Sequence, residues 1–375
     1  MAVFDLTESE LRDRRSMKWR RYPADVLPMW VAEMDCRPAP EVVRALEGLL
    51  ADGDTGYPGT RMYPEAFASY ATDTWGWDID ADEQIVGLPD VMHGIVEILD
   101  HFTEPGSPVV VNPPVYPSFY EYLEWAGRPT VEALLTPEGR LDLEAVERAY
   151  TGASRPAAHL ICNPHNPHGM VPTADELAAL ADLANRHGVL VISDEIHAPL
   201  ISAPARHAPW LTVPGGETGI VVTSASKAWN LAGLKAALAI GGADVAANLR
   251  RLPAQVTGGA SHVGIVAHTA ALTDAREWID QVMVEIEQNR VLLASLLRDH
   301  LPEVSLAAGP ATYLGWLDCR SLGLDNPYAT FLERGRVAFN PGPAFGTGGE
   351  GFVRMNLGTS PEIITDGVRR MAASV

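Results

Sequence analysis

The chain is short of lysine. Among 375 residues and 28 Lys plus Arg there are only three, Lys18, Lys227 and Lys235. Arginine serves almost everywhere else that positive charge is needed. A retained lysine therefore suggests chemistry arginine cannot do, because a buried lysine can lose its proton and act as a nucleophile. Cysteine is scarce too. Cys36, Cys162 and Cys319 are odd in number and far apart, which argues against a disulfide framework and against metal-ligand spacing, and for a reducing compartment. Basic charge is lacking overall: the formal net charge is −20, which disfavours nucleic acid as a partner. No apolar run is long enough to cross a membrane, and "MAVFDLTESELRDRR" is charged from its start, unlike a secretory signal. The expectation is a soluble cytoplasmic protein without nucleic-acid or membrane partners. The one basic cluster, Arg12, Arg14, Arg15, Lys18, Arg20 and Arg21, lies among acidic residues and is expected on a solvated helix face.

What the sequence does have is alternation. Short apolar runs, "QIVGL", "PVVVN", "AAHLIC", "VLVIS" and "GIVVTS", alternate with helical patterns such as "DVMHGIVEILDHF" and "TADELAALADLANRHG". Helical character is also expected for "DEIHAPLI" and "ASKAWNLAGL". Buried β-branched strands separated by helices specify an α/β fold with a mainly parallel central sheet flanked by helices. From about residue 261 long helices and shorter strands replace this pattern. The expected division is an N-terminal segment (1–45) packing with the small domain, a large domain (46–260) and a smaller α+β domain (261–375).

In open α/β sheets, ligands bind beyond the carboxyl ends of the strands. "AAHLIC" runs into Asn163 and "NPHNPHG", "VLVIS" ends at Asp194, and "GIVVTS" ends at "SASK". A parallel sheet would bring an amide, an acid and a rare lysine to one rim. Pyridoxal phosphate needs such a set: a lysine to hold it as a Schiff base, a carboxylate for the pyridine nitrogen, a donor for the ring phenolate, and hydroxyls with helix-start amides for the phosphate. Each residue has a plainer alternative: Asp194 as a cap, Asn163 and Asn166 as turn residues, Tyr116 as core, Arg354 as a surface arginine. His165, His168, His187, His197 and His207 match no metal-ligand pattern, so no metal is expected. "TSASKAW" is not a nucleophile-elbow pattern, which argues against Ser224 as a hydrolase nucleophile.

"SDEIHAPLI", "NPHNPHG" and "SASKAWNLAGLK", with "MWVAEMD", "DTGYPG", "NPPVYPSF" and "FGTGGEGFVRMNL", resemble fold-type I pyridoxal-phosphate enzymes of the class I/II aminotransferase family. Within it they look like the cystathionine β-lyase (C–S lyase) branch of MalY/PatB type. The resemblance spans nearly the whole chain, with seven motifs in order. It implies that Lys227 is the Schiff-base lysine and base, Asp194 the partner of the pyridine nitrogen and Asn166 the phenolate donor. His197 stands where aspartate-type aminotransferases carry tyrosine, and Tyr116 stacks on the ring. Ser224, Ser226 and Lys235 hold the phosphate with the amides around Asp90 and Val91. Arg354 clamps the substrate carboxylate, while Trp30 and Tyr57 shape the mouth. Tyr57 is expected to cross into a partner's site, which implies a homodimer. The implied activity is α,β-elimination from a cysteine S-conjugate such as cystathionine, giving thiol, pyruvate and ammonia. Transamination between an L-amino acid and a 2-oxo acid is the alternative on the same residues. Some members of the branch also bind a transcription factor, so an added regulatory role stays open. One departure is "SASKAW", where Ala228 and Trp229 stand in place of the usual Thr or Ala and Phe.

Overall fold

The computed structural model describes residues 2–59, 61–307 and 309–375. The β-branched runs form a seven-stranded sheet in the spatial order Ile85–Leu88, Ala237–Gly241, Ile220–Thr223, Leu190–Asp194, Ala158–Cys162, Val109–Val111, Thr130–Glu132. Pairing is parallel except at Ala237–Gly241, which runs antiparallel to both neighbours. Side chains alternate across the pleat. Val110, Ile161, Val191, Val221 and Leu238 enter one core, while Val109, Val111, Leu160, Ile192 and Val222 enter the other. Because both faces are covered, the strands read as unbroken apolar runs.

The flanking helices carry their own start and stop signals. Asp90 caps Val91–Phe102 by accepting from the His93 amide. Thr173 and Glu176 form a capping box on Ala174–His187, which ends at Gly188 in the left-handed region.

A second, antiparallel sheet follows in the order Asn340–Pro341, Phe352–Asn356, Leu314–Asp318, Ser305–Leu306. Helices Arg276–His300 and Pro361–Ala372 pack together against it around a third core. Leu6, Leu11, Trp19, Leu27 and Met29 join that core, and Leu27–Pro28 pairs with Val337–Ala338. Met34, Cys36 and Val42 instead enter the core of the large sheet. The N-terminal segment thus bridges the two bodies, and it lies beside the carboxyl ends of the large sheet.

Two expectations fail here. Residues 195–200 and 225–234 form turns, not helices. In the second stretch Asn230 sits at φ 57° and spends its side chain on the peptide of Met34, accepting from its amide (2.8 Å) and donating to its carbonyl (2.9 Å). Lys18 is the other failure. It is 1% exposed, and its Nζ donates to Asp35 Oδ2 (2.7 Å) and to the Glu33 carbonyl (3.0 Å). The Trp19 indole donates to Asp35 Oδ1 at 2.8 Å. Lys18 is drawn inward as the counter-charge of the buried Asp35 carboxylate, whose only other side-chain donor among the described residues is the Trp19 indole.

Candidate active site

Five strands of the large sheet deliver polar groups at their carboxyl ends, as the parallel arrangement requires. Ile85–Leu88 leads to Asp90, Val109–Val111 to Tyr116, Ala158–Cys162 to Asn166, Leu190–Asp194 to Asp194 itself, and Ile220–Thr223 to Ser224, Ser226 and Lys227. These residues line one cavity of about 230 Å³, together with Val91, His197 and Lys235. Ala32, Tyr122 and Ser118 also line it.

Lys227 is the central cation. Its Nζ donates to the Ala32 carbonyl (3.3 Å), which also accepts the Tyr313 hydroxyl (3.1 Å). Burial first, then the Arg354 charge, pull its ammonium from 10.5 down to about 8, with Asp194 opposing. Among the described residues the Asp194 carboxylate accepts a single bond, from the Ile196 amide at 3.1 Å. Burial pushes its carboxyl up to about 7 against the Ile196 amide and Lys227, and the nearby Glu195 raises it further. His197 is held neutral, its value lowered to about 3 by burial and by the Lys227 and Arg354 charges.

Arg354 sits in the strand Phe352–Asn356 and is 2% exposed. Its Nη1 donates to Asn166 Oδ1 (3.0 Å) and its Nη2 to the Trp30 carbonyl (3.3 Å), with the guanidinium carbon 5.0 Å from the centre of the Phe345 ring. Burial lowers it to about 10, so it stays cationic at neutral pH. The bond from Arg354 orients the Asn166 amide: with Oδ1 occupied, Nδ2 is left to donate.

At the other end of the cavity is an anion cradle. The amides of Val91 and Met92 open a twelve-residue helix and take no intrahelical acceptor. Lys235 Nζ donates to Asp90 Oδ2 at 2.7 Å. Burial alone would raise the Asp90 carboxyl, but bonds from the His93 amide and Lys235 hold it below its usual value. Ser226 donates its hydroxyl to no other described residue.

Three assignments need revision or qualification. Ser224 lines the cavity, but its one hydroxyl proton goes to the Ala236 carbonyl (2.7 Å) while its oxygen accepts the Ser226 amide (3.1 Å). As placed, it braces the loop and is not free to donate to an anion. Trp30 offers the site only its backbone carbonyl. Its indole faces the Lys18 carbonyl (3.4 Å), the Tyr22 ring and the Arg21 guanidinium, and it is not a lining residue. Tyr57 is wholly exposed and borders a different groove of about 590 Å³ with Pro58, Arg61 and Tyr63. It takes no part in its own chain's cavity.

Sequence reasoning missed Ala32, Tyr313 and Asn230. A backbone carbonyl leaves no mark in the sequence, and Tyr313 lies in an apolar strand context. Asn230 had a signal: it lies inside the lysine motif itself. The residues present fit pyridoxal phosphate. A lysine near neutrality, a carboxylate with an open oxygen, an oriented amide donor and a helix start with a lysine surround one small cavity.

Comparison with known proteins places this geometry. The family pattern described as aminotransferase class I and II matches residues 25–371. A Mycobacterium tuberculosis protein provisionally named a cystathionine β-lyase is 47% identical, over 99% of this chain and 97% of its own. Cystathionine β-lyase PatB of Bacillus subtilis is 35% identical over 99% of both chains. The solved structure of cystalysin from Treponema denticola, which contains pyridoxal 5'-phosphate, superposes with a TM-score of 0.92 at 25% identity, covering 100% of this chain and 99% of that one. The chain belongs to the class I and II aminotransferase family.

Proposed function

We propose that this protein is a pyridoxal-phosphate-dependent carbon–sulfur β-lyase acting on cystathionine or related cysteine S-conjugates. The observation that carries it is the convergence of Lys227, Asp194 and Asn166 on one cavity in a chain similar over its whole length to cystathionine β-lyases. Asp194 would hold the pyridine nitrogen, Asn166 the phenolate oxygen, and Lys235, Ser226 and the Val91 and Met92 amides the phosphate, with Tyr116 beside the ring. Bound there, the cofactor supplies an electron sink for the pair released when the Cα–H bond breaks.

The chain's own groups do the rest. Arg354 takes the substrate α-carboxylate in its guanidinium fork, which fixes the Cα–H bond. Lys227 Nζ, held near neutrality by burial, takes the Cα proton. Neutral His197 adds no charge beside Asp194. Loss of the Cβ–S bond and addition of one water give thiol, pyruvate and ammonia. Transamination would use the same residues and remains the second reading.

We further propose a cytoplasmic homodimer in which the exposed Tyr57 of each subunit reaches the other's cavity, with the chain divided near residues 45 and 260. Among the described residues, no helix is long and apolar enough to cross a membrane. Borohydride reduction of the purified protein followed by peptide mass mapping tests the site. Cofactor mass is expected on the peptide containing Lys227, and label elsewhere would overturn the assignment.

A further inference from the structure

Behind the cavity lies a second carboxylate that the chemistry above does not use. Glu195 follows Asp194 directly and is 1% exposed. Its Oε1 accepts from the Ser193 hydroxyl (3.0 Å), the Trp210 amide (2.8 Å) and Asn163 Nδ2 (3.2 Å), while its Oε2 meets His207 Nε2 at 2.8 Å. No arginine or lysine among the described residues lies within ion-pair distance of it. A group surrounded in this way by donors is an acceptor, and four hydrogen bonds are what a buried carboxylate needs in place of water.

Its partners are placed to matter. Asn163 also donates to the Ala208 carbonyl (3.0 Å), and its amide donates to the Asp194 carbonyl (2.9 Å). It begins the turn that delivers Asn166. The Glu195 amide bonds the Val222 carbonyl at 2.8 Å, which ties in the strand leading to Lys227. One buried side chain thus links the strand ends carrying the two groups assigned to the polar edges of the ring.

We propose that Glu195 is a positioning residue with an electrostatic role: its carboxylate, held by Ser193, Trp210, Asn163 and His207, adds negative potential behind Asp194 and so strengthens the hold on a protonated pyridine nitrogen. The charged groups acting on Asp194 are then Lys227 on the cavity side and Glu195 behind. The Lys227 cation weakens its demand for a proton, and Glu195 opposes that effect. The Glu195 charge raises the Asp194 carboxyl, which is this sign. This inference rests on the assignment of Asp194 to the ring nitrogen.

The test uses a ligand that lacks that nitrogen. Affinities for pyridoxal phosphate and for its 1-deaza analogue, in which carbon replaces the ring nitrogen, would be measured by fluorescence titration on wild type and on Glu195→Gln. The substitution keeps the shape and removes the charge. Pyridoxal phosphate should bind about three- to tenfold more weakly to the variant, while the deaza analogue changes less than about twofold. Equal loss for both ligands would mean a purely structural role, and no loss for either would mean no role; each overturns the proposal. If Glu195→Gln does not fold, the pair Glu195→Gln with His207→Gln keeps polar groups at both ends of the Oε2 contact while removing the carboxylate charge, and the same selective loss is required of it. If wild type itself fails to prefer pyridoxal phosphate over the deaza analogue, the assignment of Asp194 fails, and that outcome is distinct from failure at Glu195.

Discussion

Lys18→Met isolates the buried ion pair that fixes the cavity wall. Lys18 and Asp35 are each 1% exposed in their side chains, and their charged atoms are 2.7 Å apart. Removing the lysine leaves Asp35 with the Trp19 indole as its side-chain donor and leaves the Glu33 carbonyl without its lysine donor. An uncompensated buried charge costs about 3–5 kcal/mol. That is a large fraction of a typical folding stability of about 5–15 kcal/mol. The loss should be read by urea denaturation followed by fluorescence. Lys18→Met combined with Asp35→Asn should recover more than half of it, because the charge is gone while an oxygen remains for Trp19. The wall should suffer as well. The segment from Trp30 to Asp35 supplies the carbonyls that hold Arg354 and Lys227, so the single variant should bind cofactor more weakly. A Lys18→Met protein within about 1 kcal/mol of wild type would refute the reasoning, since a pair so deeply buried should not be dispensable.

Three further expectations follow from the site. Arg354→Lys keeps a charge but loses the planar fork that reaches both Asn166 and the Trp30 carbonyl. KM for the amino-acid substrate should rise by one to two orders of magnitude, and an unchanged KM in steady-state kinetics would remove Arg354 from substrate binding. Asp194 has its carboxyl raised by burial from 3.8 to about 7, so the folded ligand-free protein holds a proton that the unfolded chain releases. Stability from this group is present below about pH 4 and is lost as pH rises through about 7. Relative to Asp194→Asn, the ligand-free wild type should therefore lose roughly 2 kcal/mol between pH 5 and pH 7. Parallel pH profiles for the two proteins in urea denaturation would contradict the shift. If Tyr57 acts in trans, sedimentation should find a dimer at working concentration, and Tyr57→Ala should lose activity while remaining dimeric; a fully active monomer would end that idea.

The sheet was legible because its strands are buried on both faces and so appear as bare apolar runs. Lys227, Asp194 and Asn166 were legible for a related reason: each follows such a run, and the parallel topology puts run ends together. Groups defined by a tertiary partner were not legible. Lys18 looked like one of a solvated basic cluster, because nothing local shows that Asp35 would be buried against it. Ser224 has a hydroxyl where an anion needs one, yet the fold aims its proton at Ala236. Trp30 lies in the right motif but contributes a carbonyl, its indole being held by Arg21 and Lys18. The turns at 195–200 and 225–234 carry helical composition. In the second, Asn230 at φ 57° is held by its side-chain bonds to Met34, which local pattern does not reveal.

The most direct test of the central claim is product analysis with L-cystathionine and no 2-oxo acid added. Homocysteine, pyruvate and ammonia should accumulate in equal amounts over many turnovers, and Lys227→Ala should abolish them. A single turnover that stops and resumes only when a 2-oxo acid is supplied would contradict the lyase assignment and make this protein an aminotransferase.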